Sequence, residues 1–480
     1  MKSNIDLKHK TKSGMIWNAI GNLSSQGINF IFGIILARIL GPESFGIVGM
    51  LTIFIVVIGI FIDSGFSQAL IYNKSKNKQT DFSTAFYFNI IVGLFGYAIL
   101  YILSPLIASF YDLHILNPIV KALGLTLIIK SISIIQITQF TIKLDFKTPA
   151  KITFATTVLS GIIGIILAYN GFGVWSLVYQ QLLSAIFYTL LLWIYANWWP
   201  SLEFSFTSLK KLWNYGSKIL ASGLLSNIYD QIYTLVIGKA YNATALGHFS
   251  RAQQFAILPS GNLSTIISNV TFPVLSSITN TEEICSIYRK MTKTTCFIVF
   301  PLMIGLSILA GPLIHVLFNE EWYRCVPMLQ ILSISMMFHP LCMINIVLLK
   351  ATGHPATMLK LEIIKKWIIG LLVIFITINI SVLALCWGNL FYMIISFVIN
   401  ALSISRILKL NFFDQVLDIV PILINSIVMG ICVYLSTIII HSDLLKLVLG
   451  TTIGVVYYYL TSKKFMPEEI EHALFFFKRR

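Results

Sequence analysis

Several basic side chains fall inside or at the ends of long apolar runs, where they could bind an anion. Lys130, Lys218 and Arg251 lie within such runs, and Arg38 and Lys239 end two of them. Arginine presents parallel N–H groups to a phosphate, and lysine presents a mobile positive charge. We interpret the five as a cationic cavity for an anionic substrate, such as a phosphate or pyrophosphate group. The alternative is that these long side chains reach the surface of the apolar layer.

Two acidic residues share this setting. Asp230 lies in the middle of the run 213–240, which also contains Lys218. A charge at that depth of a membrane costs about 2.5–3.5 kcal/mol, so we expect this run to line a wet cavity or to contact another helix. Asp230 is a candidate proton or sodium site for ion coupling, or a counter-ion to Lys218. Asp63, followed by a Ser-Gly pair, indicates a helix break rather than a site.

The first apolar run carries a polar face. Four side chains recur at i, i+4, i+7 and i+11, which is one face of a helix, and Gln26 lies beside them. They are Asn18, Asn22, Ser25 and Asn29. A polar face inside a membrane helix either lines water or joins helices. We expect Asn22, Gln26 and Asn29 to line the cavity, because the run 213–240 is polar as well.

The composition places these residues in a membrane protein. Of the 480 residues, 57% are hydrophobic and only 11% are charged. The mean hydropathy is +0.84, and apolar runs extend over the whole length. A β-barrel would alternate apolar and polar residues, which these runs do not. The sequence therefore predicts an all-α polytopic membrane protein.

The sequence also argues against several functions. A net charge of +15 would suggest nucleic-acid binding in a soluble protein, but here the basic residues fall in short loops, where they set membrane orientation. The six cysteines show no CxxC spacing and no metal-ligand pairing with histidine. The loops leave no room for a soluble domain, and no catalytic constellation occurs. We therefore expect no enzyme, no cofactor, no metal site and no nucleic-acid partner.

Fourteen membrane spans are predicted. Their approximate ranges are 14–38, 45–69, 82–109, 115–141, 150–170, 173–197, 213–240, 245–275, 292–318, 325–349, 360–380, 382–406, 417–440 and 443–462. With the N-terminus in the cytoplasm, 26 of the 34 basic residues fall on the inner side and 5 fall at the outer side. Because basic residues concentrate in cytoplasmic loops, this bias predicts that both termini are cytoplasmic.

The stretch around residue 40 has a counterpart 201 residues later. Arg38–Gly46 aligns with Lys239–Gly247, and Asn29 aligns with Asp230. The offset spans six helices, an even number, so the halves are predicted to be parallel repeats about an axis along the membrane normal. The predicted parts are an N-terminal six-helix lobe over 1–208, a C-terminal six-helix lobe over 209–410, and two additional helices with a cytoplasmic tail over 411–480.

Six stretches resemble polysaccharide exporters of the MOP superfamily. They are ILARILGPESFGIVGM and DSGFSQALIY in the first half, and FSRAQQFAILPSGNLSTIISNVTFPVLSSI, FPLMIGLSILAGPLIHVLFNEEW, VPMLQILSISMM and LLKATGHPATMLKLEIIKK in the second. Their order and spacing are similar to those of Wzx-type lipopolysaccharide and teichuronic acid translocases. The resemblance implies a flippase that moves undecaprenyl-pyrophosphate-linked oligosaccharide from the inner to the outer leaflet of the bacterial inner membrane. It implies alternating access around a cationic central cavity, and it assigns no role to Lys130 or Arg251.

The implied partners are a lipid-linked oligosaccharide, such as an O-antigen, capsule or exopolysaccharide repeat unit, and the surrounding membrane lipids. Coupling to H⁺ or Na⁺ and a monomeric state are also expected. One alternative is a MATE-like ion-coupled exporter of small molecules, which for a cationic drug would need an acid-dominated cavity. Another is a polysaccharide polymerase or membrane glycosyltransferase, which would show a large outer loop or a cytoplasmic domain with acidic metal-binding residues.

Overall fold

The computed structural model describes residues 2–276, 278, 280–408 and 410–471. Every regular element in those ranges is a helix, as expected where a chain crosses lipid and must satisfy its backbone hydrogen bonds internally. The chain forms two compact units, Met1–Gly247 and His248–Arg480. This confirms the predicted all-α polytopic fold.

The first unit contains eight helices and the start of a ninth. They are α1 (Lys2–Asp63), α2 (Phe66–Tyr72), α3 (Gln79–Phe110), α4 (Leu116–Ser131), α5 (Ile134–Ile142), α6 (Lys147–Tyr169), α7 (Trp175–Ala196), α8 (Phe206–Ala240) and α9 (Ala243–Ser276). The first unit therefore includes α8, which the sequence analysis assigns to the second lobe. The predicted boundary between 208 and 209 stays a prediction.

The second unit contains most of α9 and nine further α-helices. They are α10 (Thr281–Ile308), α11 (Ala310–Leu317), α12 (Cys325–Met336), α13 (His339–Ala351), α14 (Pro355–Ile363), α15 (Leu371–Thr377), α16 (Val382–Leu408), α17 (Phe412–Ile439) and α18 (Asp443–Phe465). A 3₁₀ turn covers Glu320–Trp322, and a π-helical turn, Ile364–Gly370, joins α14 to α15.

Ten helical segments are long and apolar enough to cross a membrane in the described part of the chain. The first, Ser24–Tyr72, has 49 residues, which is enough for two crossings at about 20 residues each. Helices also cover the predicted spans 213–240 and 245–275, but charged and polar residues make them less apolar. The predicted span 360–380 is divided between α14, the π-helical turn and α15. The chain is therefore a multi-pass membrane protein, and the count of fourteen spans stays a prediction.

α1 is bent at Gly41, which has φ 67° and ψ 176°. A positive φ favours glycine, because a side chain there would crowd the backbone. Pro42 follows and has no N–H to donate to the preceding turn. The bend divides α1 into an arm over 2–40 and an arm over 42–63. The predicted break after Asp63 is also present, since α1 ends there and α2 begins at Phe66.

The bend of α1 crosses the junction between α8 and α9 at very short distance. A Cβ atom on Gly46 would lie 1.7 Å from the carbonyl oxygen of Ala243, and one on Gly247 would lie 1.9 Å from that of Pro42. The 201-residue offset aligns Gly46 with Gly247 and Pro42 with Ala243. The contact is therefore reciprocal, because the two glycines are aligned with each other and so are the two residues that they approach. Only glycine allows backbones to approach this closely.

Candidate functional site

α8 has one packed face and one exposed face. On the packed face, a Cβ on Gly216 would lie 2.4 Å from the carbonyl oxygen of Ser64, and one on Gly238 would lie 3.0 Å from Met50. Met50 belongs to the second arm of α1 and Ser64 directly follows it, so α8 lies along that arm. The exposed face carries four polar side chains four residues apart, Lys218, Ser222, Ser226 and Asp230.

The cytoplasmic end predicted for α8 is held firmly against α3. The side chain of Ser205 caps α8 by accepting from the backbone N–H of Ser208 at 3.3 Å. Lys211 Nζ lies 3.2 Å from a carboxylate oxygen of Asp81, which is almost fully buried. Just before α8, Trp198 Nε1 donates to Gln79 Oε1 at 2.9 Å. These contacts fix the rotation of α8 and therefore the direction in which its polar face points.

The opposite end of α8 contains Lys239, one of the predicted cavity cations. Its ammonium lies 3.3 Å from Asp112 and 5.1 Å from the ring centre of Phe110. Phe110 is the last residue of α3, and Asp112 follows it closely. The side chains of Lys239 and Asp112 are 44% and 83% exposed, so this is a surface ion pair. The structure thus gives Lys239 a local anionic partner from the protein itself.

Lys130 lies at a break in the middle of a membrane span. α4 ends at Ser131 and α5 begins at Ile134, and both belong to the candidate span Leu116–Ile142. The backbone carbonyl of Lys130 accepts from the hydroxyl of Ser133 at 2.9 Å, which satisfies a group that the break leaves without its helical donor. The Lys130 side chain is exposed. An exposed ammonium at this depth is expected to face water rather than lipid.

The predicted residues of α1 are split between exposed and buried positions. Gln26, Asn29 and Arg38 are exposed, whereas Ser25 is buried. The side chains of Asn18 and Asn22, which belong to the same predicted polar face, lie outside the described residues. The structure therefore allows a cavity role for Gln26, Asn29 and Arg38, and leaves Asn22 as a prediction.

Arg251 differs from the other predicted cations because it is only 4% exposed. Its guanidinium donates to Gln254 Oε1 at 2.7 Å. It also lies 5.6 Å from the ring centre of Trp322 and 5.9 Å from that of Phe318, within the range of cation–π attraction. These partners hold α9 against the turn that follows α11 in the second unit. The geometry favours a packing role, and we do not carry Arg251 into the proposed site.

The sequence analysis missed a buried charge in the second unit. Lys365, in the π-helical turn, has a side chain only 3% exposed, and its ammonium lies 2.5 Å from Glu362. Lys366 lies 3.9 Å from the same carboxylate group. The spacing of three and four residues was the available signal, because it brings opposite charges together on one helix face.

These positions give the first unit exposed cations at several depths of the membrane, on α1, α4 and α8. Asp230 adds a carboxylate to the same face of α8 as Lys218. Such cations suit an anion that is held by mobile charges and released again, because lysine donors are not locked into one geometry. Asp230 is an acidic group that could exchange a proton or a cation.

Comparison with known proteins gives consistent results. Residues 35–327 match the family described as polysaccharide biosynthesis protein. The chain is 27% identical over 391 residues to the teichuronic acid biosynthesis protein TuaB of Bacillus subtilis (strain 168), which covers 78% of each protein. It is 25% identical over 341 residues to the lipopolysaccharide biosynthesis protein WzxC of Escherichia coli (strain K12), covering 69% of this chain and 68% of the relative.

A solved structure has the same fold. The lipid II flippase MurJ, in an inward closed conformation, superposes with a TM-score of 0.80 over 95% of this chain and 100% of that protein, at 16% sequence identity. At that identity the similarity establishes the fold, and other observations must address the cargo.

Proposed function

Because the chain belongs to the polysaccharide biosynthesis protein family, we propose that it is a flippase for a lipid-linked oligosaccharide. The family match confirms the resemblance found in the sequence motifs. Two relatives are named for teichuronic acid and lipopolysaccharide biosynthesis, and the protein of the same fold is named as a lipid II flippase. These names support a cargo with a lipid tail and a sugar-bearing head.

The proposal in its finer form names undecaprenyl-pyrophosphate as the carrier and the bacterial inner membrane as the site, with both termini in the cytoplasm. The excess of basic residues in the predicted inner loops supports this orientation. The head group would cross through a cationic cavity by alternating access, while the tail stays in the bilayer.

The observation that carries the proposal is that exposed basic side chains lie within predicted membrane spans of the first unit. Lys130 lies at the mid-span break after α4, and Lys218 lies on the polar face of α8. A pyrophosphate carries negative charge on several oxygens, and ammonium groups form short, charge-assisted hydrogen bonds to them. These bonds replace part of the hydration that the head group loses on entering the membrane, which lowers the barrier to crossing.

The polar side chains beside these cations suit the sugars. Asn29 and Gln26 on α1, and Ser222 and Ser226 on α8, are exposed and offer both donors and acceptors to hydroxyl groups. Weak, adaptable hydrogen bonds of this kind bind a sugar without holding it tightly, as a transporter requires. Asp230 is the proposed coupling residue, because a carboxylate exchanges a proton or binds sodium.

The test is a transport assay with the purified protein in liposomes. Labelled undecaprenyl-pyrophosphate oligosaccharide is placed in one leaflet, and its appearance in the other is measured with an impermeant sugar-modifying reagent. Wild-type protein should accelerate this transfer well above that of protein-free liposomes, and K130A should abolish the acceleration. The matched control is K74A, which removes an exposed lysine from the loop after α2 and should transport normally.

Two results would contradict the proposal. One is the absence of transfer by wild-type protein under every pH, sodium and voltage gradient applied. The other is normal transfer by both single variants, K130A and K218A, because the anionic head group would then be held elsewhere.

A further inference from the structure

A cavity of about 1010 Å³ lies in the second unit, where α10 begins and where α16 and α18 end. Small-ligand sites generally measure about 300–1,000 Å³, so the space is large enough for a ligand. The candidate spans of these helices begin at Thr281 and end at Leu408 and Phe465. Phe413 and Phe465 nearby are 69% and 71% exposed, as in the aromatic belts of membrane proteins. The cavity therefore lies at the level of lipid head groups.

One wall of this end cavity is basic. Arg289, Lys290 and Lys293 of α10 all line it. Arg289 contacts both carboxylate oxygens of Asp418, at 2.6 and 2.8 Å, and Lys293 lies 3.1 Å from the same group. One buried carboxylate thus orients two cations and neutralises only one of them. Lys290 is exposed and adds a mobile positive charge, so the wall keeps a surplus of positive charge beyond Asp418.

Acidic residues line another part of the end cavity, here called the acidic wall. Glu468 and Glu469, in the segment after α18, line the end cavity together with the apolar side chains of Ile407 and Leu410. Glu282, in the first turn of α10, lines it as well. Within residues 280–408 and 410–471, no ion pair crosses the cavity from α10 to Glu468 or Glu469. Opposite charges therefore line one space without touching, which leaves both sets available to a ligand placed between them.

We infer that the end cavity binds the head group of a zwitterionic aminophospholipid, whose phosphate contacts Lys290 and Lys293 and whose primary ammonium contacts Glu468 and Glu469. The phosphate accepts from lysine, and the ammonium donates to the carboxylates. The apolar surface of Ile407 and Leu410 contacts the glycerol end of the lipid. A purely anionic lipid satisfies only the basic wall, and a choline lipid has no N–H to donate to the acidic wall.

Binding here is independent of the cargo site, because the end cavity contains none of the cations proposed to hold the oligosaccharide carrier. It attaches a membrane lipid to α10 and to the segment after α18. Such a lipid stabilises the contact between the appended helices and the rest of the second unit, because it binds only when the two walls face each other.

The experiment compares three short-chain phospholipids with identical tails and different head groups, ethanolamine, choline and glycerol. Full-length protein in detergent is titrated with each, and bound lipid is counted by native mass spectrometry. The ethanolamine lipid should bind about tenfold more tightly than the choline lipid, because only its ammonium makes charge-assisted hydrogen bonds. It should also bind more tightly than the glycerol lipid, whose head group has no ammonium to place beside Glu468 and Glu469.

Variants assign the two walls separately. In E468Q/E469Q the preference for ethanolamine over choline should disappear, whereas K290Q should weaken all three phosphate-bearing lipids. The matched controls are E471Q and K464Q, which change exposed residues that do not line the cavity, and both should behave as wild type. Lys290 is exposed, so K290Q tests the basic wall even if the double variant folds poorly.

Three outcomes would overturn the inference. They are equal binding of ethanolamine and choline lipids by wild-type protein, a preference for the anionic glycerol lipid, and a preference for ethanolamine that survives in E468Q/E469Q. A variant that loses flipping but keeps its preference for the ethanolamine lipid shows that the end cavity acts independently of the proposed function. A variant that flips normally but loses this preference shows the same.

Discussion

Lys218 in the first unit and Arg251 in the second are basic residues inside predicted membrane spans, and the sequence assigns both to one cationic cavity. The structure separates them. Lys218 is exposed on the polar face of α8, whereas Arg251 is 4% exposed and lies against Trp322 and Phe318. A cation on an exposed face contributes to function through what it can bind. A cation surrounded by aromatic rings contributes to stability, because its charge is already satisfied.

Position within a predicted span therefore does not fix the surroundings of a charge. They depend on the helix face on which the charge lies and on the partners that the fold supplies to it. α8 packs through glycines on one face and keeps its charges on the other. On α9, Arg251 is buried and contacts Trp322, which follows α11 in the chain. Substitutions on the exposed and the buried faces test this division by their effects on stability and on transport.

The largest effect is expected for R251A. The variant loses a charged hydrogen bond to Gln254 and two cation–π contacts, so the free energy of unfolding should fall by about 3 kcal/mol. The measurement is thermal unfolding in detergent, together with the amount of protein in the membrane. Both should drop markedly, and transport should fall in proportion to the amount of folded protein.

R251K is the control for this prediction. It keeps the charge and the cation–π contacts but loses the planar fork, so its stability should lie between those of the wild type and R251A. If R251A instead unfolds at the wild-type temperature and fails only in transport, Arg251 acts on the cargo and belongs with Lys218.

K218A should produce the next largest effect, and it should affect transport alone. Removing an exposed side chain leaves the packed face of α8 intact, so the unfolding temperature should change little. The flipping rate should fall at least tenfold, because a charge-assisted contact with the anionic head group is worth about 1.5–3 kcal/mol. K210A, which removes an exposed lysine from the first turns of the same helix, should flip at the wild-type rate. Equal losses in both variants would point to general surface charge.

The difference between these two residues also shows how far the sequence could lead. The offset of 201 residues aligned the bend of α1 with the junction of α8 and α9, and the structure places those two stretches in reciprocal contact. The break after Asp63 followed from local turn chemistry. The break depends on neighbouring residues, and the contact depends on a repeated pattern. Both kinds of signal can be read from a single sequence.

The burial of Arg251 and Lys365 could not be predicted in this way. Arg251 is covered by Phe318 and Trp322, which are distant in sequence, and periodicity around Arg251 contains no information about them. Lys365 is buried in a π-helical turn, an irregular element that rotates side chains away from the positions expected for an α-helix. Both burials depend on tertiary contacts and on backbone irregularity.

The D230N substitution tests the acidic residue that lies on the same exposed face of α8 as Lys218. The substitution keeps the shape of the side chain and removes its negative charge. If Asp230 exchanges a proton or binds sodium, the flipping rate of D230N should no longer respond to an imposed pH or sodium gradient, while flipping driven by a cargo gradient continues. The measurement is the initial rate with and without each gradient. A response as large as in the wild type would make Asp230 a counter-ion to nearby cations and would place the coupling ion elsewhere.

The smallest effect is expected for K239A, because Lys239 is exposed yet already paired. Its ion pair with Asp112 is largely solvent-exposed, and such pairs contribute less than about 1 kcal/mol. A double-mutant cycle with D112A, measured by thermal unfolding, should give a coupling of that size, and the flipping rate should stay close to wild type. A large loss of flipping in K239A that D112A does not share would mean that the cargo displaces Asp112 from the ammonium. Lys239 would then be a cargo ligand like Lys218. An ion pair within the protein would exclude a cation from cargo binding only when that pair is stronger than the contact with the cargo.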